Sequence, residues 1–300
     1  MIKLIATDLD GTLFYPKRRI SGLCSSNKKF LKKFLSEGGK LVLVTGRNAM
    51  IQPRVEKALG YKVAILGCNG AFFKENDEMK IAYPMDKKLL LDLYSYCYSE
   101  FDFFNLMLFD DTPNTYVAAG ERLTPFMIEV ARVVNNTNGF YRENLIPGEK
   151  VFIDAIVNHD SYKFMPFLGF DKKSHLKIEA IKLAVKTRYQ NQFNIVASGG
   201  AIEITHPDAN KGATLLKYCK MNGIKEDEVF VCGDSGNDLP MFEYFQHSFC
   251  MYHSPNYIKS QANHVINRIS DLEKYLNDEN LYKNDVLHQI DYDKALKKLW

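Results

Sequence analysis

The sequence predicts an α/β protein: a doubly wound, Rossmann-like parallel sheet with an α+β module inserted into it. Short apolar runs alternate with amphipathic helical segments near both ends of the 300-residue chain, which is typical of a parallel sheet. Between about residues 84 and 204 this alternation gives way to strand pairs and helices. Three apolar runs outside that middle segment end in acidic or hydroxyl residues, and such strand ends are where α/β sheets bind ligands.

The first 83 residues supply the first strands of the predicted sheet. The apolar run at residues 2–7 is followed by Asp8, Asp10 and Gly11, which together indicate a buried strand that ends in a tight acidic turn. Ser25 and Ser26 can cap the helix that follows. The remaining elements are a strand at residues 40–44, a helix that stops at residue 60, a strand at residues 63–66 and a hairpin at residues 71–83.

The middle of the chain carries the predicted insertion. Its elements in order are a helix at residues 86–101, strands at residues 104–109 and 115–119, a helix at residues 127–134, a loop at residues 135–150, extended segments at residues 151–157 and 162–168, a helix at residues 177–189 and a hairpin at residues 193–205. We therefore expect a discontinuous core of residues 1–83 and 205–300, with an α+β domain of residues 84–204 between its two parts.

The last third of the chain returns to the pattern of the parallel sheet. Its elements in order are a helix near residue 211 that is bounded by residues 222–223, a strand at residues 229–232, a short helix at residues 239–245, a strand at residues 249–251, a helix at residues 255–262 and a short strand at residues 264–266. Residues 270–300 form a charged tail that we expect to be largely helical.

Composition excludes several classes of function. The 39 basic and 36 acidic residues leave a net charge of +3, and no basic stripe indicates a nucleic-acid partner. No apolar run approaches the roughly 20 residues that a membrane-spanning helix needs. The six cysteines and seven histidines show no ligand spacing, so a zinc site is not expected. A chain that begins directly with a strand and carries only scattered cysteines is expected in the cytoplasm.

The residues at the ends of the predicted strands form a chemical pattern. They are Asp8, Asp10, Thr45, Asp234 and Asp238, with Lys211 at the start of the helix before the last strand. Because the carboxyl ends of parallel strands meet at one edge of a sheet, we expect these side chains to lie together. Four carboxylates repel one another unless a hard cation lies among them, and oxygen ligands favour Mg²⁺ shared with a substrate phosphate. The pattern therefore predicts magnesium-dependent phosphoryl chemistry.

The one-residue spacing of Asp8 and Asp10 indicates a shared task. Alternation along a strand places both residues on the same side, so we expect both to face one phosphate and one metal ion. Two acids in a metal-loaded site can divide the work of nucleophile and proton donor between them.

Four motifs in this order resemble the haloacid dehalogenase superfamily of phosphatases. They are Asp-Leu-Asp-Gly-Thr-Leu at residues 8–13, Val-Thr-Gly-Arg at residues 44–47, Asn-Lys-Gly at residues 210–212 and Gly-Asp-Ser-Gly-Asn-Asp at residues 233–238. The long insertion and the Cys-Asn-Gly-Ala sequence at residues 68–71 look like the Cof-type subfamily, which carries an α+β cap of type IIB. The resemblance covers roughly residues 1–265 and implies a haloacid dehalogenase core with an inserted cap domain.

The resemblance also implies roles for individual residues. Asp8 would be the nucleophile that forms an aspartyl-phosphate, and Asp10 would be the general acid and base. The residues implied to bind the phosphoryl group are Thr45, Gly46, Lys211 and Asn237, with the turn at residues 11–12 lining the phosphate cradle. Those implied to hold Mg²⁺ are Asp8, Asp10 through its carbonyl, and Asp234, with Asp238 in an outer position. The implied function is hydrolysis of a small phosphorylated metabolite, a sugar phosphate or a phosphorylated cofactor, by a monomer or homodimer.

Each of these residues also has a structural interpretation. Thr45 could hydrogen-bond its own turn, Lys211 could be a solvated helix lysine, and Asp238 could cap the helix that begins at residue 239. Arg47 is expected to pair structurally rather than to contact substrate. Asn69 could be a turn residue in the left-handed conformation.

Two features depart from the family pattern, and two other functions stay open. Residues 251–254, Met-Tyr-His-Ser, stand where the family usually has a glycine-asparagine-alanine turn, and the tail beyond residue 270 is an addition. A sugar-phosphate mutase would use similar motifs. A catalytically silent phosphosugar sensor is the non-enzymatic alternative, and the presence of both Asp8 and Asp10 speaks against it.

Overall fold

The computed structural model of the chain describes residues 1–18, 20–110, 112–120, 139–169, 172–198 and 200–290, together with residues 133, 135 and 137. These residues form two compact units. The core unit comprises residues 1–47, residues 51–81 and the chain from residue 210 onward, and the inserted unit comprises residues 48–50 and 82–209. Among the described residues, no helix combines the length and the apolar character that crossing a membrane requires.

Strands and helices alternate along the core unit, whereas strands of the inserted unit often follow one another directly. In chain order the strands are β1 (Leu4–Asp8), β2 (Lys40–Val44), β3 (Ala64–Gly67), β4 (Phe72–Glu75), β5 (Glu78–Ala82), β6 (Asn105–Asp110), β7 (Asn114–Ala119), β8 (Asn144–Pro147), β9 (Ser161–Phe167), β10 (Asn194–Ser198), β11 (Ala201–Thr205), β12 (Val229–Gly233), β13 (Ser248–Met251) and β14 (His264–Ile266). The α-helices with described bounds are α1 (Ser25–Ser36), α2 (Gln52–Leu59), α3 (Lys87–Glu100), α4 (Glu149–Asn158), α5 (Lys172–Tyr189), α6 (Lys211–Met221), α7 (Leu239–Tyr244), α8 (Asn256–Lys259) and α9 (Leu272–Asn277).

The core unit is built on an eight-stranded sheet in the order β14-β13-β12-β1-β2-β3-β4-β5. The strands from β14 to β3 run parallel, and β4 turns back antiparallel to β3. Parallel strands in α/β proteins are covered on both faces, and every residue of β1 and β12 is buried. Because β1 lies between β2 and β12, the carboxyl ends of these three strands meet at one edge. The predicted fold class is confirmed.

The helices of the core unit follow the apolar pattern of the sequence, with two corrections at their ends. In α1 the side chains of Phe30 and Phe34 are buried, four residues apart on one face. Ser25 is already the first residue of α1 and Cys24 precedes it, so the predicted serine cap is not formed. The helix predicted at residues 255–262 is shorter than expected, because α8 ends at residue 259.

The inserted unit packs helices against one face of a second sheet. Its six strands have the order β10-β11-β9-β6-β7-β8, and neighbours are antiparallel except for β7 and β8. Leu106 and Leu108 of β6 belong to a buried layer that also contains Phe152 of α4, Phe164 of β9 and Ile178 of α5. Burial of each such side chain contributes about 2 kcal/mol, so this layer gives the inserted unit its own hydrophobic core.

Part of the inserted unit differs from the sequence prediction. Residues 151–157, predicted to be extended, belong to α4. The buried residues Phe152, Ala155 and Ile156 have the i, i+3, i+4 spacing of a helix face, and this periodicity outweighs the β-branched composition of the run. Residues 144–147, predicted to be loop, form β8 because they pair with β7. The predicted helix at residues 127–134 lies outside the described residues except for residue 133.

The described part of the tail, up to residue 290, is less helical than predicted. After α9 a short 3₁₀ turn covers residues 279–281, and residues 285–290 have no regular structure. Oδ2 of Asp285 lies 3.0 Å from Nδ1 of His247, and its Oδ1 lies 2.8 Å from Nε2 of His264. Tyr282 packs edge-on against Phe230, with ring centroids 5.1 Å apart. The described part of the tail is therefore fastened to the β12–β14 side of the core sheet.

Candidate active site

Three carboxylates meet at the carboxyl edge of the core sheet. Asp8 is the last residue of β1, and Asp234 and Asp238 follow β12, which is its parallel neighbour. One oxygen from each of the three side chains lies within 4.8 Å of the others. Asp8 and Asp238 are buried, and Asp234 is partly buried. The sheet topology thus brings together residues from the two ends of the core sequence.

A buried ammonium group joins the three carboxylates. Nζ of Lys211, the first residue of α6, lies 2.8 Å from Oδ1 of Asp8 and 2.7 Å from Oδ1 of Asp238. The Lys211 side chain is only 1% exposed, so it is not a solvated helix lysine. Asn210 fixes the start of α6, because its Oδ1 accepts a 2.9 Å hydrogen bond from the backbone N–H of Ala213. The capped helix start directs Lys211 into the cluster.

Asp238 is held by backbone groups on one side and by Lys211 on the other. Its Oδ2 accepts hydrogen bonds from the N–H groups of Asp234 at 2.9 Å and Ser235 at 3.1 Å. The side chain caps the 3₁₀ turn at residues 236–238 and not α7, so the interpretation of Asp238 as a cap for the helix at residue 239 is wrong. Because both oxygens are engaged, Asp238 fixes the position of Lys211 and of the Asp234 loop.

Asp234 is enclosed by the turn that follows β1. The hydroxyl of Thr12 donates a 2.9 Å hydrogen bond to Oδ1 of Asp234. Gly11 has a φ of +87°, and a β-carbon at this position would lie 2.4 Å from Oδ2 of Asp234, so a larger residue would be strained and would displace Asp234 or the turn. The turn that the family resemblance implies for the phosphate cradle shapes the surroundings of a carboxylate in the structure.

Asp10 lies outside the three-carboxylate cluster and pairs with Arg47. β1 ends at Asp8, and Asp10 lies in a wide turn with φ −77° and ψ 117°. The expectation that strand alternation places Asp8 and Asp10 on the same side is wrong, because the strand does not extend to Asp10. Nε of Arg47 lies 2.6 Å from Oδ2 of Asp10, and Nη2 lies 2.9 Å from Oδ1. The structural pairing predicted for Arg47 is confirmed.

The loops after β2 and β3 support each other. The hydroxyl of Thr45 accepts a 3.0 Å hydrogen bond from the N–H of Arg47, which is the turn-stabilising bond of its structural interpretation. The carbonyl of Thr45 accepts a hydrogen bond from the N–H of Asn69, which is in the left-handed conformation. Nδ2 of Asn237 lies 3.5 Å from Oδ1 of Asn69. Gly46 is half-buried in the first of these loops.

His253 lies at the site, and sequence reasoning gave it no role. It follows β13, whose carboxyl end lies at the same edge of the sheet as that of β12. Its ring packs on Tyr15 with centroids 4.1 Å apart, and its Nε2 lies 4.0 Å from Oδ2 of Asp234. Burial lowers the pKa of His253, which favours the neutral imidazole. The sequence feature that could have indicated a role for His253 is that residues 251–254 depart from the glycine-asparagine-alanine turn usual in the family.

The charges of the cluster oppose one another. Burial raises the pKa of the Asp8 carboxyl, and the neighbouring carboxylates of Asp238 and Asp234 add to this against the attraction of Lys211. Burial and the charge of Asp238 also raise the pKa of Asp234 to about 6. Burial lowers the pKa of Lys211, but Asp238 and Asp8 outweigh it and raise that pKa above its usual value. The lysine therefore stays charged, while the carboxylates resist ionising together.

The donor set fits a hard divalent cation. Three carboxylates and one ammonium leave a net charge of −2 when all are ionised, and one divalent ion would cancel it. Hydrogen bonds within the described part of the chain engage Oδ1 of Asp8 and Oδ1 of Asp234 and leave the second oxygen of each without one. The free oxygen of Asp234, together with the Asp8 carboxylate, would bind the cation, and Asp238 would support them from an outer position.

Comparisons with known proteins agree on the kind of protein. The family model of haloacid dehalogenase-like hydrolases matches residues 5–272. Phosphatase YwpJ of Bacillus subtilis is 26% identical over 282 residues, which cover 88% of this chain and 94% of the relative. Pyridoxal phosphate phosphatase YbhA of Escherichia coli K12 is 24% identical over 271 residues, which cover 88% of this chain and 93% of the relative. A solved sugar phosphatase of haloacid dehalogenase subclass IIB shares the fold, with a TM-score of 0.72 and 16% identity over 92% of this chain and 99% of that one.

Fold and relatives together define the class, which is a hydrolase of the phosphatase type built on a parallel-sheet α/β core. The chain belongs to the haloacid dehalogenase-like hydrolase family. The predicted superfamily, its Cof type and the predicted phosphatase class are thereby confirmed.

Proposed function

We propose that the chain is a Mg²⁺-dependent phosphomonoester hydrolase that works through an aspartyl-phosphate on Asp8. The observation that carries this proposal is the buried contact between the Asp8 carboxylate and the Lys211 ammonium, inside a cluster whose excess negative charge matches one divalent cation. A carboxylate becomes an effective nucleophile toward an anionic phosphate when fixed positive charge lies beside both groups.

Asp8 supplies the attacking oxygen in this mechanism. Its Oδ2, which Lys211 does not contact, forms a bond to phosphorus while the bond from phosphorus to the ester oxygen breaks. The leaving oxygen takes a proton from Asp10. Water then attacks the phosphorus of the aspartyl-phosphate and gives a proton to Asp10, and inorganic phosphate leaves as the Asp8 carboxylate is restored.

The other site residues bind and orient the phosphoryl group in this proposal. Lys211, held by Asp238 at 2.7 Å, would place its charge beside the phosphoryl oxygens. Thr45, Gly46 and Asn237 would complete the phosphate site from the loops next to it. Bound Mg²⁺, held by the carboxylates of Asp8 and Asp234 and by the Asp10 carbonyl, would shield the phosphate charge from the acids around it.

The substrate we infer is a small phosphorylated metabolite. The relative from E. coli named above is a pyridoxal phosphate phosphatase, which makes phosphorylated cofactors one class to screen and sugar phosphates the other. We assign residues 84–204 to a cap domain that selects the substrate, and the hydrophobic layer of the inserted unit supports its folding as a separate module.

Hydrolysis of p-nitrophenyl phosphate, measured with Mg²⁺ and with a chelator, tests the mechanism. Asp8→Asn keeps the size of the side chain and removes its charge, so we expect turnover near background. Acid quenching during turnover of ³²P-labelled substrate should trap phosphate on the wild-type protein but not on this variant. Asp77→Asn is the matched control, because Asp77 lies at an exposed turn with positive φ that asparagine tolerates.

Four outcomes would contradict the proposal. Turnover at the wild-type rate in Asp8→Asn would show that Asp8 is not the nucleophile. Activity that a chelator does not reduce would show that the reaction needs no metal ion. Transfer of the phosphate to a second hydroxyl of the substrate, with no inorganic phosphate released, would indicate a mutase. Tight binding of a sugar phosphate without any turnover would indicate a sensor.

A further inference from the structure

Asp8, the last residue of β1, and Asp10, in the turn after it, each have a cationic partner. Asp8 contacts the buried ammonium of Lys211, and Asp10 contacts the guanidinium of Arg47. The two pairs differ in exposure: the Lys211 side chain is 1% exposed, whereas the Asp10 side chain is 50% exposed. They also differ in geometry, since an ammonium is a point charge and a guanidinium is a planar fork.

The Arg47 fork fixes both the direction and the rotation of the Asp10 carboxylate. Its Nε and Nη2 donate to the two oxygens of Asp10 at 2.6 and 2.9 Å, the geometry of a bidentate pair. Asp10 lies in a wide turn outside any strand. Within the described residues, Arg47 is the residue that hydrogen-bonds this carboxylate, so the fork decides where it points.

The backbone of Arg47 is itself held on two sides. Its N–H donates to the Thr45 hydroxyl at 3.0 Å, and its carbonyl accepts a 2.9 Å hydrogen bond from the N–H of Cys68. Cys68 follows β3, so the ends of two adjacent core strands fix the base of the arginine side chain. The Arg47 guanidinium, which extends from this fixed backbone, therefore holds the Asp10 carboxylate in place.

We propose that Arg47 is the positioning residue for the general acid and base, Asp10. This inference rests on the proposed function. Each carboxylate oxygen has two acceptor sites and Arg47 uses one on each, so Asp10 can accept a proton from water without leaving the fork. In the next turnover Asp10 gives this proton to the oxygen of the leaving group. Arg47 therefore acts on proton transfer and not on phosphate binding.

Leaving-group dependence separates this role from a structural one. An alkyl phosphate needs a proton on its departing oxygen, whereas p-nitrophenolate leaves without one. The ratio kcat/KM reports the steps up to release of the leaving group. For Arg47→Gln we expect kcat/KM to fall about 100-fold with the alkyl phosphate, the low end of general acid–base catalysis, and only a few-fold with p-nitrophenyl phosphate. Equal losses with both substrates would overturn the proposal.

Two further variants sharpen the test. Arg47→Lys keeps the charge but not the fork, and we expect it to lose most of the alkyl-phosphate activity; full rescue by lysine would overturn the role of the fork. In the Asp10→Asn background, Arg47→Gln should cause no further loss with the alkyl phosphate, because its effect passes through Asp10. Losses that multiply in the double variant would also overturn the proposal.

Lys33→Gln is the matched control, because Lys33 forms an exposed ion pair with Glu273 at 2.9 Å in the same unit; we expect unchanged kinetics.

The result for Asp8→Asn distinguishes failure of the proposed mechanism from failure of the positioning role of Arg47. If Asp8→Asn stays active, the proposed mechanism fails whatever Arg47 does. If Asp8→Asn is inactive and Arg47→Gln loses both substrates equally, only the positioning role fails.

Discussion

A β-carbon placed on Gly11 would lie 2.4 Å from Oδ2 of Asp234 and 2.7 Å from its Cγ. The next residue, Thr12, donates its hydroxyl to the other oxygen of the same carboxylate. A single turn after β1 therefore sets the position of an acid that comes from the far end of the core sequence. The acid in question is one that we propose to hold Mg²⁺.

Gly11→Ala is expected to weaken Mg²⁺ binding by displacing the Asp234 carboxylate. Two non-bonded heavy atoms cannot lie 2.4 Å apart, as the new β-carbon and Oδ2 of Asp234 would, so Asp234 or the turn must move. Calorimetric titration with Mg²⁺ measures the loss directly, and kcat should fall with it. Gly38→Ala is the control, because Gly38 also has positive φ, +90°, but its β-carbon would meet nothing within 4 Å. The strain of positive φ, about 1–2 kcal/mol, is then common to both variants, and equal Mg²⁺ affinities would contradict the prediction.

Lys211→Met is expected to destabilise the metal-free protein strongly. The substitution leaves the buried carboxylates of Asp8 and Asp238 without their shared cation, and removing one partner of a buried ion pair costs about 3–5 kcal/mol. Unfolding in urea measures the change. Lys33→Met, which breaks an exposed pair, should cost less than about 1 kcal/mol. Losses of the same size in both variants would show that Lys211 is not a buried partner.

The raised pKa of Asp234 predicts how pH and Mg²⁺ act together on stability. Its pKa is about 6 in the folded chain against a reference value of 3.8, so the folded state holds this proton more tightly than the unfolded state. Stability of the metal-free protein should therefore fall as the pH rises from about 4 to about 6. Mg²⁺ competes with the proton, so it should raise Tm little near pH 5 and more near pH 7.5.

Thermal melting at both pH values, with and without Mg²⁺, checks this expectation. Asp234→Asn carries no titrating proton and should reduce the dependence on pH, while Asp8, whose pKa is also raised, retains part of it. An equal rise in Tm at both pH values would contradict the assignment of the proton to the cation site.

The parts of the site that could be predicted from sequence are those that strand order decides. Asp8 and Asp234 come together because β1 and β12 are parallel neighbours, and parallel pairing brings carboxyl ends to one edge whatever the side chains do. The helix that starts at Lys211 could be recognised in the same way, by its position before the last of these strands.

The remaining features depend on local turn geometry, which residue type alone does not determine. The two-residue alternation of a strand stops at Asp8, and the wide turn beyond it directs Asp10 to Arg47. Asp238 bonds back to the N–H groups of Asp234 and Ser235 instead of forward into α7, a choice set by the 3₁₀ turn between them. In α4 the spacing of buried residues was decisive, and a run of valine and isoleucine obscured it.

The place of β1 in the sheet has a consequence for how the polypeptide is made. Leu4 of β1 pairs with Lys40 on one side and with Val229 on the other. A ribosome that adds roughly 5–20 residues per second delivers the first partner within seconds and the second only after roughly 10–45 seconds. Until then the edge of β1 that will pair with β12 has unpaired backbone N–H and C=O groups that chaperones or other nascent chains can bind, and Asp8 has no acidic neighbour from β12. The newly made protein therefore acquires its acidic cluster only after residues 229–238 have been made, and shortened chains that stop before Val229 are expected to aggregate rather than to hydrolyse phosphate esters.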